Sequence, residues 1–386
     1  MLGLADILDL YEKRFDTPPL LVRACGHINI IGEHTDYNQG FVLPVAADKY
    51  IFFALAENGT SSCHFYAANT GESCSFHLKE IQPGSQAWAN HLMGILQQFE
   101  KDGVVLEGID CVFGGNLPAG AGMGFSAALE CGFALGVNAL FSLDYSLKGL
   151  AQLAQRASNE FVGLSCGAMG HFASMLGREG HAIRLDCRNL NHEYVPLELG
   201  DYELVLVDSR AKHSPGESEY LLRVAECHAG VAVLKQYYPT ITSLRDVTLD
   251  MLKLHRSELE DSIYRRCIFV AKENARLQEA CRCLWNGDIA RLGTLLLATH
   301  EGLRDEFEVS CPEIGFLADF AASAPGVLGA RLMGAGFGGY TLNLVHIPAK
   351  QQFLKAISGA YFQKFGIHPA YYMLHSVDGT MIVREA

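Results

Sequence analysis

Chemically capable side chains are concentrated in the segment GEHTDYNQG at positions 32–40, where Glu33, His34, Asp36 and Asn38 follow a short apolar run. Carboxylate, imidazole and amide groups suit a polyhydroxylated ligand, because each sugar hydroxyl both donates and accepts hydrogen bonds. A metal ion would need His and carboxylate ligands at a spacing fixed by a helix or strand. Consecutive Glu-His-Thr-Asp residues do not give that spacing. The segment therefore favours a sugar site over a metal site, with a hydrated turn as the remaining alternative.

A glycine-rich segment, LPAGAGMGFSAA at 117–128, precedes an apolar helix. Gly120, Gly122 and Gly124 allow the backbone to approach a ligand closely, and Ser126 is predicted to cap the helix. A helix N-terminus offers unpaired N–H groups and partial positive charge, which suit a phosphate. The segment lacks the Gly-Lys-Ser/Thr of a Walker loop. A tight turn into a buried helix is the alternative interpretation.

Two further glycine segments are less informative. The segment GAGFGG at 334–339 matches Gly-x-Gly-x-x-Gly, but the residues at 340–347 alternate like a strand. A dinucleotide site needs a helix at that point, so a loop lining or packing beside a phosphate site is expected instead. The segment GLSCGAMG at 163–170 joins two helical stretches, and helix packing explains it without a ligand.

The elements that must position these segments predict an α+β protein with two lobes. The expected division is an N-terminal domain at 1–195 and a C-terminal domain at 196–386. Periodicity and residue type predict the following elements: strands at 21–31, 40–48, 51–56, 62–67, 74–76, 108–114, 181–186 and 202–208, and helices at 86–101, 126 onward, 146–161, 217–236, 261–285 and 287–302.

Composition narrows the function classes. The 386-residue chain has a formal net charge of −13 and no basic cluster, so neither nucleic acid nor an anionic membrane is expected as a partner. The twelve cysteines are scattered without a Cys-x-x-Cys motif. They are predicted to be reduced core thiols of a cytoplasmic protein. The first residues resemble an amphipathic helix and not a signal peptide, and no apolar run reaches the ~18 residues of a membrane helix.

These segments together resemble the galactokinase family of the GHMP small-molecule kinase superfamily. The stretch GEHTDYNQGFVLPVAAD is similar to the galactokinase signature, and NLPAGAGMGFSAALE to the superfamily's phosphate loop. FVGLSCGAMGHFASMLG resembles the segment carrying the catalytic acid, and GAGFGG the C-terminal glycine motif. The resemblance spans the chain and implies a two-lobed GHMP kinase fold with the active site between the lobes. It also implies ATP and Mg²⁺ as cofactors.

The resemblance assigns roles to several residues of this chain. Those implied to hold the sugar are Glu33, His34, Asp36, Gly167 and Tyr220. Those implied to hold the nucleotide are Trp88, Gly120, Gly122, Gly124 and Ser126, of which Ser126 also helps to hold magnesium. The tyrosine that usually follows Trp88 by three positions is His91 here.

Several positions at the reacting centre depart from the family. His27 stands in place of an arginine, Gly170 in place of the catalytic aspartate, and Ser158 in place of a magnesium-binding glutamate. The phosphate loop, usually Leu-Ser-Ser-Ser-Ala, reads MGFSA at 123–127 and places Phe125 where a small hydroxyl is usual. His27 and Gly170 are therefore predicted to be non-functional replacements.

Phosphoryl transfer relies on positioning, metal and charge stabilisation. Losing an acid–base group costs ~10²–10⁴-fold in rate, and losing an electrostatic stabiliser costs ~10²–10³-fold. The sequence thus predicts a protein that binds galactose or a close hexose, with phosphoryl transfer impaired or lost and with ATP and Mg²⁺ binding weakened or lost. Such a protein could act as a sugar sensor with a protein partner.

Two alternatives stay open. The first is an active galactokinase with a rearranged site, in which His27 and His171 share a proton or Glu160 replaces the missing metal ligand. Residues two apart on a helix are separated by ~200°, which disfavours Glu160 in that role. The second is an enzyme of another class built on the same fold, which no residue specifically supports. The sequence does not specify the oligomeric state.

Overall fold

The computed structural model describes residues 2–119, 122–164, 166–211 and 217–383. In the first half of the chain, strands and helices alternate largely as predicted. The elements are α1 (Leu4–Glu12), β1 (Leu20–Asn29), β2 (Phe41–Val42), β3 (Pro44–Glu57), β4 (Ser62–Ala67), β5 (Glu72–His77), α2 (Ala87–Lys101), β6 (Ile109–Gly115), α3 (Phe125–Leu140), α4 (Leu147–Ala157) and α5 (Met169–Leu176). A π-helical turn, Ser158–Val162, extends α4. The strands expected at 40–48 and 51–56 are instead the short β2 and the continuous β3.

The second half contains most of the helices. Its elements are β7 (His181–Asp186), β8 (Asn191–Pro196), β9 (Tyr202–Asp208), α6 (Glu217–Leu234), α7 (Leu249–Leu254), α8 (Asp261–Asn286), α9 (Ile289–Glu301), α10 (Pro312–Ser323), β10 (Val327–Met333), β11 (Tyr340–His346), α11 (Lys350–Phe365), β12 (Ala370–Leu374) and β13 (Met381–Val383). A second π-helical turn, Gly302–Glu306, follows α9. The predicted helices at 217–236, 261–285 and 287–302 are confirmed to within two residues at each end.

The chain divides into two compact units, which are discontinuous in sequence. One consists of Met1–Ile28, Val45–Glu179 and Ser376–Ala386, and the other of Asn29–Pro44 and Gly180–His375. The sequence predicted a single boundary near 195. The difference arises because the polar segment at 32–40 is bonded to helix α8 and strand β10 and belongs to the second unit.

The first unit is built on a six-stranded sheet in the order β13-β1-β3-β6-β4-β5. Strand β4 runs parallel to β6, whereas β3 pairs with β6 antiparallel. Helix α3 packs closely on this sheet, since a Cβ on Gly132 would lie 2.3 Å from the ring of Phe53 and 2.8 Å from Ala24. The close approach requires glycine and explains why α3 is buried on nearly all sides.

The second unit contains a four-stranded sheet, β10-β11-β9-β12, and a three-stranded sheet, β2-β7-β8. Strand β9 pairs antiparallel with both β11 and β12. A separate helical core joins α6, α7 and α8 around residues such as Cys227, Leu252 and Phe269, which are fully buried. The long helix α8 therefore lies at the centre of this unit.

The predicted N-cap of helix α3 can be checked directly. Helix α3 begins after Gly124, which is its N-cap in a left-handed conformation with φ of +74°. The predicted cap, Ser126, was wrong because the glycine reverses the chain earlier and places Ser126 in the first turn.

All twelve cysteines lie in described positions and none forms a disulfide. No helix within the described ranges is long and apolar enough to cross a membrane.

Candidate functional site

The segment at 30–40, which we call the signature loop, lies in the second unit directly after β1. Glu33 is buried, with 4% of its surface exposed. Its Oε1 accepts hydrogen bonds from Arg331 Nη1 at 2.9 Å and from the backbone N–H of Gly334 at 3.1 Å. The other carboxylate oxygen makes no hydrogen bond to these groups, so the carboxylate is oriented and keeps acceptor capacity for a ligand hydroxyl.

His34 is the second signature-loop residue with a fixed geometry. Its backbone is left-handed, with φ of 59°, and its ring is 5% exposed. The imidazole packs against Phe307 at a centroid distance of 4.6 Å and lies 5.9 Å from Tyr220. Nδ1 forms a 3.0 Å hydrogen bond with the hydroxyl of Tyr37, and the imidazole also interacts with the backbone of Ala335.

The protonation of the signature loop follows from its burial. Burial lowers the pKa of His34 to about 3, so the imidazole is neutral at pH 7. Burial and the charge of Glu33 raise the pKa of Asp36, while the backbone N–H of Tyr37 opposes that shift. Asn38 Nδ2 donates to the carbonyl of His34 at 2.9 Å and fixes the turn. These groups form a neutral imidazole beside two carboxylates, a donor and acceptor set suited to hydroxyls.

Four of the five predicted sugar residues lie in the same compact unit. Glu33, His34, Asp36 and Tyr220 all belong to the second unit, and His34 links the loop to α6 through Tyr220. Gly167 belongs to the first unit, in the segment that leads into α5. Its role as a sugar contact stays a prediction.

The predicted nucleotide residues lie in the first unit. Gly122 and Gly124 have positive φ angles of 64° and 74°, as expected for a loop that turns sharply into α3. Gly120 lies outside the described residues. Trp88, at the start of α2, donates from Nε1 to Glu72 at 2.9 Å and packs against Phe113 of β6.

His27 is packed directly against two glycines of this unit. A Cβ built on Gly124 would lie 2.1 Å from His27 Nδ1, and one built on Gly170 would lie 2.7 Å from His27 Cε1. Both distances are far below van der Waals contact. The imidazole therefore occupies the space that side chains at 124 and 170 would need.

The imidazole of His27 carries no charge at neutral pH. It is 8% exposed, and its Nδ1 has no hydrogen-bond partner in the described part of the chain. Burial, reinforced by the neighbouring His171, lowers the pKa of His27 to about 4. A neutral ring therefore stands at the position where the family resemblance implies an arginine.

Glu130 is the centre of a buried polar network that the sequence did not reveal. Its side chain is fully buried in α3 and accepts three hydrogen bonds of 2.6 Å, from His91 Nδ1, His171 Nε2 and Ser158 Oγ. Although burial favours the neutral acid, the hydrogen bonds from His171 and His91 hold the pKa of Glu130 below its ordinary value. The network joins α2, α3, α5 and the π-helical turn.

Three side chains near α3 that could serve a magnesium ion are already bonded to protein groups. Ser158 is 1% exposed and its hydroxyl is bonded to Glu130, whose two oxygens are occupied by imidazoles. Glu160 accepts hydrogen bonds from Lys101 and Gln98, at 2.9 and 3.0 Å. No group of three or more His, Cys, Asp or Glu residues in the described ranges is arranged to hold a metal. Ser126 as a metal ligand stays a prediction.

Comparison with known proteins gives the family. A model described as the galactokinase galactose-binding signature matches residues 9–57, and models for the N-terminal and C-terminal GHMP kinase domains match residues 90–178 and 274–357. A galactokinase of Roseiflexus sp. (strain RS-1) is 37% identical over 380 residues, covering 98% of this chain and 97% of that relative. This chain belongs to the galactokinase family.

Other members of the galactokinase family agree with the assignment. A galactokinase of Thermotoga neapolitana is 38% identical over 358 residues, which cover 93% of this chain and 98% of the relative. The crystal structure of Lactococcus lactis galactokinase complexed with galactose matches with a TM-score of 0.94 and 29% identity, over 98% of this chain and 100% of that one. A mevalonate kinase, at 15% identity and a TM-score of 0.66, shares the fold. The predicted family and the predicted α+β GHMP kinase fold are confirmed.

Sequence reasoning missed three buried groups of this galactokinase-family chain, Glu130, Glu273 and Arg331, and considered His171 only as a partner of His27. A signal was present for two of them. Glu130 is the single charged residue in α3, and Arg331 is the single charged residue in β10. A lone charge in an otherwise apolar buried element indicates a specific partner, because an unpaired buried charge is strongly destabilising.

Proposed function

We propose that the protein binds galactose or a close hexose and transfers phosphate to it poorly or not at all. The observation that carries this proposal is the packing of His27 against Gly124 and Gly170. The imidazole of His27 occupies the space that side chains at 124 and 170 would need, so the reaction centre is repacked and not merely truncated. A repacked centre leaves no room for a returning aspartate at 170 unless His27 changes as well.

The charges of the reaction centre support the same conclusion. The family's arginine, aspartate and glutamate correspond here to a neutral imidazole, a glycine and a serine bonded to Glu130. Each loss alone predicts a ~10²–10⁴-fold lower rate. Losses that act as a unit do not add, but together they leave little transition-state stabilisation. ATP and Mg²⁺ are expected to bind weakly, since the side-chain oxygens of Ser158, Glu130 and Glu160 are already bonded to protein groups.

The signature loop supports the sugar half of the proposal. Glu33 and His34 are buried and oriented by hydrogen bonds and ring packing, and both bonds to Glu33 fall on Oε1, which leaves Oε2 to accept from a ligand. The family's galactose-binding signature matches this region. A protein that binds the sugar without phosphorylating it is suited to act as a sugar sensor.

An active galactokinase is the second candidate. The observation in its favour is that the curated relatives at 37–38% identity carry the name galactokinase. The two candidates differ in one measurable quantity, the turnover of ATP in the presence of galactose.

Calorimetry with galactose and a coupled assay for ADP release test the proposal. We expect galactose to bind without nucleotide and turnover to lie several orders of magnitude below that of an ordinary family member. Turnover near that of ordinary members, abolished by His27→Ala, would contradict it. Absence of galactose binding would contradict the sugar half alone.

Restoration of the family residues is a second test. The variants are His27→Arg, Gly170→Asp and Ser158→Glu, made singly and together, with Phe125→Ser added last. We expect activity to rise only in the combined variants, because the single changes collide with the repacked neighbours. A large gain from Gly170→Asp alone would show that the packing of His27 does not limit catalysis.

A further inference from the structure

We infer that Arg331 and Glu273, two fully buried charged residues of the second unit, are positioning residues that set the geometry of the signature loop for sugar binding. Both are 0% exposed, and neither is among the residues that the family resemblance assigns to a ligand. The inference rests on the proposed sugar binding for its functional part. Its structural part can be tested without a ligand.

Arg331 holds the start of the loop from β10. Its guanidinium donates to the carbonyl of Ile30 at 2.7 Å, to the carbonyl of Asn29 and to Glu33 Oε1 at 2.9 Å. A further bond reaches the carbonyl of Leu332 at 2.6 Å. The planar fork of arginine can serve several acceptors in fixed directions, which a lysine cannot. One side chain thus fixes both the backbone before Glu33 and the direction of its carboxylate.

Glu273 holds the turn of the loop from α8. Its Oε1 accepts the backbone N–H of Gly32 at 2.9 Å. Its Oε2 accepts hydrogen bonds from Thr299 at 2.9 Å and Arg276 at 2.7 Å, which orient the carboxylate. Gly32 has a φ of +96°, and a Cβ there would lie 2.7 Å from the carbonyl oxygen of Phe41. The carboxylate therefore fixes one of the several backbone conformations open to a glycine, at a position where a side chain would not fit.

The next residue of α8 holds the far end of the loop. Asn274 Oδ1 accepts the backbone N–H of Phe41 at 3.1 Å, and its Nδ2 donates to the carbonyl of Val270 at 3.2 Å. A Cβ on Gly40 would lie 2.4 Å from Asn274 Oδ1. Adjacent residues of one helix thus bond to the loop at Gly32 and Phe41, while Arg331 bonds to it from the sheet.

The partners of these hydrogen bonds indicate that Arg331 and Glu273 position the loop and do more than stabilise the fold. Replacing a buried ion pair by apolar residues is often neutral or stabilising, so buried charges are weak evidence for stability alone. Here the charges bond to the backbone and to one functional side chain of the loop. A loop fixed before the ligand arrives loses less conformational entropy on binding, so the benefit is expected in affinity.

The ligand experiment compares wild type with Arg331→Lys, Arg331→Met, Glu273→Gln and Glu273→Leu by calorimetry. The probes are galactose and a set of monodeoxygalactoses. We expect Arg331→Lys to lower galactose affinity about 10-fold to 100-fold, the factor for one lost charge-assisted hydrogen bond. The lost affinity should come mainly from the one sugar hydroxyl that Glu33 binds. The deoxygalactose that lacks this hydroxyl should therefore bind the Arg331→Lys variant nearly as tightly as galactose does. Glu273→Gln keeps an acceptor for Gly32 and should retain more affinity than Glu273→Leu.

The matched control is Asn343→Ala. Asn343 is also 0% exposed and bonds to the carbonyls of Val205 and Thr341, which lie in β9 and β11 and not in the loop. It should lower thermal stability and leave the affinity for each sugar unchanged. If Arg331→Lys and Glu273→Leu behave like this control, or lower affinity for all deoxygalactoses equally, the inference is wrong.

Hydrogen exchange gives a ligand-free readout. We expect Glu273→Leu to accelerate exchange of the peptide spanning 30–41 about tenfold or more, with a smaller effect on β9 and β11. Equal acceleration throughout the second unit would overturn the inference. If wild type binds no galactose, the proposed function fails while this exchange pattern still decides whether the two residues position the loop.

Discussion

At the scale of single residues, the imidazole of His27 determines which residues positions 124 and 170 can accept. The imidazole lies where a side chain at 124 or 170 would otherwise extend, and it is neutral because burial lowers its pKa. The glycines at those positions are therefore required by the histidine. A comparison position by position would count His27 and Gly170 as separate losses, whereas the structure shows one repacked volume.

The first prediction concerns Gly170 in helix α5. Alanine normally stabilises a helix by about 0.5–1 kcal/mol relative to glycine. Here its Cβ would lie 2.7 Å from His27 Cε1 and 3.2 Å from Ala127 Cβ. We expect Gly170→Ala to lower the free energy of unfolding by about 1–3 kcal/mol, the usual cost of overpacking.

Urea unfolding measures this cost, and Gly359→Ala in α11 is the control because no atom lies within 4 Å of its added Cβ. The control should be stabilising. In a His27→Ala background the penalty at 170 should largely disappear, which a double-mutant cycle detects. An undiminished penalty would show that His27 is not the obstacle.

The second prediction concerns pH. Burial lowers the pKa of His27 and of His300 to about 4, from the ordinary value of 6.5. Below 6.5 the unfolded chain binds protons that the folded chain does not, so the stability from the neutral histidines is complete above 6.5 and falls as the pH falls toward 4. The slope is at most about 1.4 kcal/mol per pH unit for each group.

Unfolding measured across that range should therefore show decreasing stability in wild type. His27→Met removes one titrating group while keeping a side chain of similar volume, so its pH dependence should be shallower. A slope identical to that of wild type would mean that His27 is protonated in the folded protein.

At the scale of elements, Glu130 connects four helical segments through one carboxylate. Its partners come from α2, α5 and the π-helical turn after α4, each at 2.6 Å. Short hydrogen bonds to a charged group are about twice as strong as neutral ones. The helices of the first unit are thus held by a polar centre as well as by apolar packing.

The third prediction tests this centre. We expect Glu130→Leu to lower the free energy of unfolding by about 3–5 kcal/mol, because two buried imidazoles lose their acceptor. Glu130→Gln, which keeps one acceptor oxygen, should cost less. Ser158→Ala removes a single hydroxyl donor and should cost about 1 kcal/mol. If Glu130→Leu proves no worse than Ser158→Ala, the network does not stabilise the unit.

At the scale of the whole molecule, the two parts of the proposed function lie in different compact units. The signature loop belongs to the second unit, and the altered positions 27, 158 and 170 belong to the first. Each unit has its own sheets and its own core.

The fourth prediction is a difference in ligand stabilisation. Galactose should raise the apparent free energy of unfolding by about 2.7 kcal/mol at roughly 100 times its Kd. MgATP should add little, because the side-chain oxygens of Ser158, Glu130 and Glu160 are already bonded to protein groups. Thermal unfolding with galactose, with MgATP and with both measures this, and ATP without magnesium is the control. Stabilisation by MgATP equal to that by galactose would contradict a weakened nucleotide site.

The sequence by itself predicted most of the element order and the polar segment at 32–40, and its resemblance to the galactokinase family implied the departures at 27, 158 and 170. These features depend on local periodicity, on glycine and polar residue types, and on short motifs. It placed the cap of α3 wrongly, because the left-handed Gly124 ends the loop two positions before Ser126. It also divided the chain once, although the signature loop belongs with residues far along the sequence.

Only the tertiary structure decided which residues act together. His27 meets Gly170 across 143 positions, Glu130 meets His171 across 41, and Arg331 meets Glu33 across 298. Such contacts are set by how strands and helices pack and not by any local pattern, so periodicity carries no information about them. The sequence indicated which charges were missing; the packing of the folded chain showed what fills their place and what holds the sugar loop.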